Sequence, residues 1–204
     1  MDLSFSELKD LVFNASMGTN LSAGTCEDLS FGINFLESRS LPGGKELLNS
    51  LKCVRHPPVS PQKKGVSLIF SNARAIFEGL SAIDFLVSEA CESVILENID
   101  SSMLLVGLAS NYYGLSFSFY NNKGIYAALF NDQLYWKSEN YRSSSDIEIR
   151  LTYGELDNLL AKRSRMLLDE NIFEELTSLA SNMLVPESEL SRATGAGAGN
   201  IDND

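Results

Sequence analysis

The stretch from Ser93 to Thr152 constrains this chain more than any other. Six short segments within it alternate or run apolar: Ser93–Asn98, Met103–Ala109, Leu115–Tyr120, Gly124–Phe130, Gln133–Ser138 and Asp146–Leu151. Each has strand length, and turn residues separate them: Asp100-Ser101-Ser102, Asn111 to Gly114, Asn121-Asn122-Lys123, Asn131-Asp132 and Glu139 to Ser145. Connections this short join antiparallel neighbours, because a parallel pair needs a crossover of a dozen or more residues. The expectation is an antiparallel β-meander of about six strands. In the last segment Ile147, Ile149 and Leu151 alternate with Asp146, Glu148 and Arg150, which predicts one buried and one wet face. Leu115, Phe117 and Phe119 oppose Ser116, Ser118 and Tyr120 in the same way. Met103–Ala109 is apolar throughout, so its period does not separate strand from helix.

Helical patterns flank this run. Ser4 and Glu7 have capping-box spacing ahead of Phe5, Leu8, Leu11, Val12 and Ala15. Gly18 is placed to end that helix in a left-handed conformation. A second helix is expected from about Ala23 to Arg39, with Cys26, Leu29, Ile33 and Leu36 on one face, and a short third helix after Pro42-Gly43-Gly44 through Leu51. The first two are expected to form a helical hairpin. Val66–Phe70 reads as a further strand and Ala82–Glu89 as a helix. Tyr153–Leu168 and Asn171–Leu184 read as C-terminal helices, with Leu156, Leu159, Leu160 and Arg163 on one face of the first. The fold class is α+β. The domain reading is a single domain over residues 1–186, followed by a Gly-rich acidic tail over 187–204.

Composition narrows the function classes. The chain of 204 residues has a net charge of −11 and 44% hydrophobic residues. Such acidity repels phosphate backbones, so no nucleic-acid partner is expected. No apolar run is long enough to span a bilayer and no signal peptide is apparent, so the expected location is cytoplasmic, with no membrane partner. The three cysteines, Cys26, Cys53 and Cys91, are widely spaced and suit reduced thiols. The one histidine, His56, sits before Pro57 and Pro58, and a nucleophilic triad would have to use it. Clustered His and Cys metal sites are ruled out by count. Leu47 to Phe77 contains no acidic residue but does contain Lys52, Arg55, Lys63, Lys64 and Arg74. That segment is either a solvated loop or a docking surface for an anion or for an acidic part of the same chain.

The runs Ala15-Ser16-Met17-Gly18, Gly24-Thr25-Cys26-Glu27-Asp28 and Phe35-Leu36-Glu37-Ser38-Arg39-Ser40-Leu41-Pro42-Gly43 resemble the start of an uncharacterised bacterial family, domain of unknown function 3726. This chain departs from the family pattern at Gly18-Thr19-Asn20, where the family has Gly-x-Gly, at Ser22-Ala23 and at Phe35. The tail, Ser191-Arg192-Ala193-Thr194-Gly195-Ala196-Gly197-Ala198-Gly199-Asn200-Ile201-Asp202-Asn203-Asp204, resembles that family's C-terminus. The resemblance implies no activity.

Two functions follow as expectations. One is a non-catalytic binding or accessory protein whose tail docks on its own fold or on a partner. The tentative binding residues are Ser191, Arg192, Gly195, Gly197, Gly199, Asp202, Asn203 and Asp204. The other is an enzyme in which Asp202, Asp204 and the terminal carboxylate hold a divalent ion while Arg192 binds an anionic substrate. No cofactor is expected, and no metal is assigned in the favoured reading. The expected partners are an unknown protein or a small anionic ligand, and a homodimer is compatible with the chain.

Overall fold

The computed structural model describes residues 1–52, 57–152 and 159–183. A two-residue strand β1 (Asp2–Leu3) leads into α1 (Phe5–Met17). The capping box forms: Glu7 N–H donates to Ser4 Oγ (3.3 Å), and Ser4 N–H donates to Glu7 Oε2 (2.8 Å). Gly18 ends α1, but at φ −62°, not in the left-handed region. Its missing side chain serves close packing instead: a Cβ there would lie 1.9 Å from the carbonyl oxygen of Leu179.

Helix α2 (Ala23–Glu37) is capped by Ser22, which accepts Thr25 N–H at 3.2 Å. The expected face, Cys26, Leu29, Ile33 and Leu36, is fully buried. Burial is not confined to that stripe, because every residue from Gly32 to Arg39 is buried. Helix α3 (Gly43–Leu51) follows. Strands β2 (Gln62–Lys64) and β3 (Ser67–Ser71), a π-helical turn (Ala75–Gly79) and α4 (Leu80–Val87) lead to β4 (Ser93–Ile99).

Met103–Ala109 is not a strand. It lies in α5 (Ser102–Ala109), where all eight residues are buried. Ser101 caps it by accepting Leu104 N–H, so the polar triplet read as a turn is a helix start. An all-round apolar run suits a helix sandwiched between a sheet and other helices. Strands β5 (Ser116–Asn121), β6 (Gly124–Phe130), β7 (Gln133–Trp136) and β8 (Ser145–Leu151) complete the middle of the chain.

Seven strands form one sheet in the order β2-β3-β4-β8-β5-β6-β7. Only β5 to β7 follow one another as a meander. The pairs are antiparallel except β3 with β4, which are parallel and joined through the π-helical turn and α4. Strand β8 returns to lie between β4 and β5, pairing Ile149 with both Val94 and Phe119. Ile147 and Ile149 are fully buried, while Asp146 and Arg150 are exposed, as the alternation predicts. Helices α4 and α5 lie against the sheet, and α2 packs on α5.

The segment 159–168 is not helical either. Leu159 bridges Tyr135, Leu160 N–H donates to Leu134 O (2.8 Å), and β9 (Met166–Leu167) pairs antiparallel with β1. The edge of β7 and the N-terminal strand supply backbone partners that a free helix would not need. Helix α6 (Glu170–Ser181) packs against α1 and α3. Among the described residues there are six α-helices, and none is long and apolar enough to cross a membrane.

Candidate functional site

Helix α2 carries polar residues at positions where its burial calls for apolar ones. Asn34 is fully buried; its Nδ2 donates to Ser30 O at 2.9 Å, and its Oδ1 has no partner among the described residues. Arg39 lies just past the helix end, and its side chain folds back along it. Nη1 donates to Phe35 O (2.9 Å) and to Ser38 Oγ (3.0 Å), and the guanidinium stacks 3.6 Å from the Phe35 ring centre. Nη2 reaches the β6–β7 turn, donating to the backbone oxygen of Asp132 and to its Oδ1 (2.7 Å). The Arg39 side chain is 1% exposed, and its Nε is unpartnered among the described residues. Lys162 donates to the other oxygen of Asp132 at 2.7 Å. Burial pushes the Asp132 carboxyl up, but Lys162 and Arg39 outweigh it and hold the group below its ordinary value.

These residues line a cleft of about 510 Å³ running along α2. Its other end holds Glu27 and Asp28, and its walls include Phe5, Phe31, Ser110 and Asn111. Phe5 and Phe31 are exposed large apolar side chains, and the Lys9 ammonium lies 3.9 Å over the Phe31 ring. Asn111 Nδ2 donates to Asp28 O at 3.1 Å. Burial first, then the negative charges of Glu27 and Asp84, raise the Asp28 carboxyl above its ordinary value.

A second cleft, of about 480 Å³, includes Glu37, Lys45, Arg163 and Asp169. Glu37 Oε1 accepts Gly44 N–H (2.8 Å) at the start of α3, and Arg163 N–H donates to Ser38 O (2.6 Å). Burial pushes Glu37 up to about 7. The run Glu37-Ser38-Arg39 thus contributes to both clefts.

Among the described residues the geometry offers little for nucleophilic chemistry. Burial raises the Cys26 thiol to about 11, far from a thiolate at neutral pH. No group of three His, Cys, Asp or Glu is placed to hold a metal among the described residues.

Residues 3–85 match the model of a family described as "Protein of unknown function (DUF3726)". The match covers less than half of the chain. The DUF3726 match contains α1, α2 and α3, and so every α2 residue of both clefts. No curated protein matches the chain. Similar solved structures include sulfolactate dehydrogenase from Methanocaldococcus jannaschii, at 13% identity and TM-score 0.47, covering 72% of this chain and 50% of that one. Malate dehydrogenase from Pyrococcus horikoshii OT3 matches at 11% and 0.48, with 72% and 50% covered, and that from Entamoeba histolytica at 10% and 0.45, with 59% and 39%. The chain spans half or less of the length of these structures, and a likeness this distant carries no argument about activity.

The tentative binding residues Ser191, Arg192, Gly195, Gly197, Gly199, Asp202, Asn203 and Asp204 lie outside the described residues, as do His56 and Arg55. The rest of the basic segment is dispersed. Lys52 pairs with Glu175 (3.1 Å), and Lys63 and Lys64 lie exposed on β2, an edge strand. Sequence reasoning gave no functional role to Asn34, Asp132 or Lys162. The available signal was a polar Asn34 flanked by apolar Ile33, Phe35 and Leu36.

Proposed function

We propose that this chain is a non-catalytic binding or accessory protein, and that the cleft along α2 is its ligand site. One observation carries the reading: buried Asn34 and Arg39 each keep an unpartnered polar atom beside a cleft floored with exposed phenyl rings. Buried polar groups are nearly always satisfied, and each exception calls for a cause. The cleft's volume falls within the range of small-molecule sites, and so does its mixture of apolar walls with a few polar groups. In this proposal the protein works in the cytoplasm, and the tail docks on the fold or on a partner through Ser191, Arg192, Gly195, Gly197, Gly199, Asp202, Asn203 and Asp204.

A fragment screen by protein-observed NMR tests the cleft. Hits that shift the backbone amides of Phe31 to Arg39, and that bind more weakly to Phe31→Ala, are expected. A screen whose hits all map away from α2 refutes the ligand site. Deleting residues 195–204 tests the tail: a lowered melting temperature is expected, and unchanged melting with fast amide exchange over those residues in the full chain refutes docking on its own fold.

A further inference from the structure

We infer that the ligand of the α2 cleft is an organic ammonium ion, an amine cation carried on an apolar body; this rests on the reading of that cleft as a ligand site. Four features of the cleft point the same way.

The two cations that line it already have a carboxylate partner. Arg39 and Lys162 both pair with Asp132, each at 2.7 Å, and four of the guanidinium's donor contacts go to Phe35, Ser38 and Asp132. Its negative groups at the other end have no cation: among the described residues Glu27 and Asp28 form no ion pair, and Asp28 Oδ1 accepts a long contact from Asn111 Nδ2 (3.4 Å).

The buried atom that lacks a partner at Asn34 is an acceptor. The amide orientation follows from its neighbour: Nδ2 donates to Ser30 O, and the reverse orientation would set two oxygens against each other. What completes Asn34 is therefore a hydrogen-bond donor, a role an ammonium N–H can fill. The rings of the cleft also hold cations well. Phe31 carries the Lys9 ammonium at 3.9 Å and Phe35 the Arg39 guanidinium at 3.6 Å, while Phe5 stands exposed beside them. A net charge of −11 further raises the local concentration of cations over anions. An anionic ligand would meet Glu27 and Asp28, while the cleft's guanidinium already pairs with Asp132.

Three probes with one phenyl body separate the classes: phenethylammonium, phenylalanine and 3-phenylpropionate, titrated at neutral pH into the full chain by NMR and calorimetry. Phenethylammonium is expected to shift the amides of Asp28 to Asn34 and to bind about five-fold or more tighter than 3-phenylpropionate, from the scale of one cation–ring contact and one carboxylate contact. Asp28→Asn, and separately the exposed Glu27→Gln, should erase most of that preference while leaving the melting temperature within a few degrees. Equal or tighter binding of 3-phenylpropionate, or a preference untouched by both variants, overturns the ammonium assignment. If all three probes shift the cleft equally, the assignment fails while the ligand site stands. If none shifts it, both fail.

Discussion

Glu37 offers a sharp quantitative test of the packing around α2. Its carboxyl is buried at the start of α3, where burial raises it, while the N–H groups of Gly44 and Gly43 pull it back down. Burial wins, and the group moves from an ordinary 4.5 to about 7. In the unfolded chain Glu37 loses its proton as pH rises through about 4.5; in the folded protein it keeps the proton until about 7. Between those values the folded state binds more protons, so stability falls as pH rises, and above about 7 the penalty is constant. The gap corresponds to roughly 3 kcal/mol as an upper bound. Glu37→Gln retains an amide oxygen to accept Gly44 N–H and removes the charge. Urea denaturation from pH 4 to pH 8.5 should show variant and wild type alike at the acid end. The variant should gain between about 1 and 3 kcal/mol at pH 8. A gap independent of pH, or a variant less stable at pH 8, would show that the carboxylate is comfortably solvated or paired, and the account of this corner would be wrong.

Other expectations follow from close contacts and from the arginine. Gly32→Ala would put a Cβ 2.8 Å from the Gly107 carbonyl carbon where α2 crosses α5, so urea midpoints should fall by about 2–3 kcal/mol. Gly24→Ala, with nothing within 4 Å, should be neutral or gain up to about 1 kcal/mol in the same assay. Arg39→Met should cost about 2 kcal/mol by denaturation. It should also raise the Asp132 carboxyl, followed by NMR titration, since one of the two cations holding it down is gone.

Much of the fold was legible because local signals agreed with their surroundings. The capping box at Ser4, the apolar face of α2 and the alternation in β8 each specify a period that tertiary packing then keeps. The misreadings share a physical cause. Met103–Ala109 is buried on every side, so its sequence carries no face from which to read a period. Residues 159–168 show a helical stripe, yet their backbone groups pair with β7, Ser38 and β1, and those partners are remote in sequence. The place of β8 between β4 and β5 is likewise invisible to turn chemistry, which speaks only of neighbours. At the cleft, Arg39 stood in plain view, but its reach to Asp132 spans 93 positions and only the fold reveals it.

The position of β8 also governs how this chain can come together in time. The strand that links the two halves of the sheet is the last of the seven to leave the ribosome. Until it does, β4 has one neighbour and β5 lacks its inner one, so two open strand edges wait on a segment ending at Leu151. The DUF3726 stretch, residues 3–85, includes β3 but not β4, and α2 but not the α5 that covers Gly32. It is thus a recognisable piece of sequence without being a self-sufficient folding unit. Truncations that stop before β8 should give chains that need chaperones and aggregate through those edges, whatever the integrity of their helices.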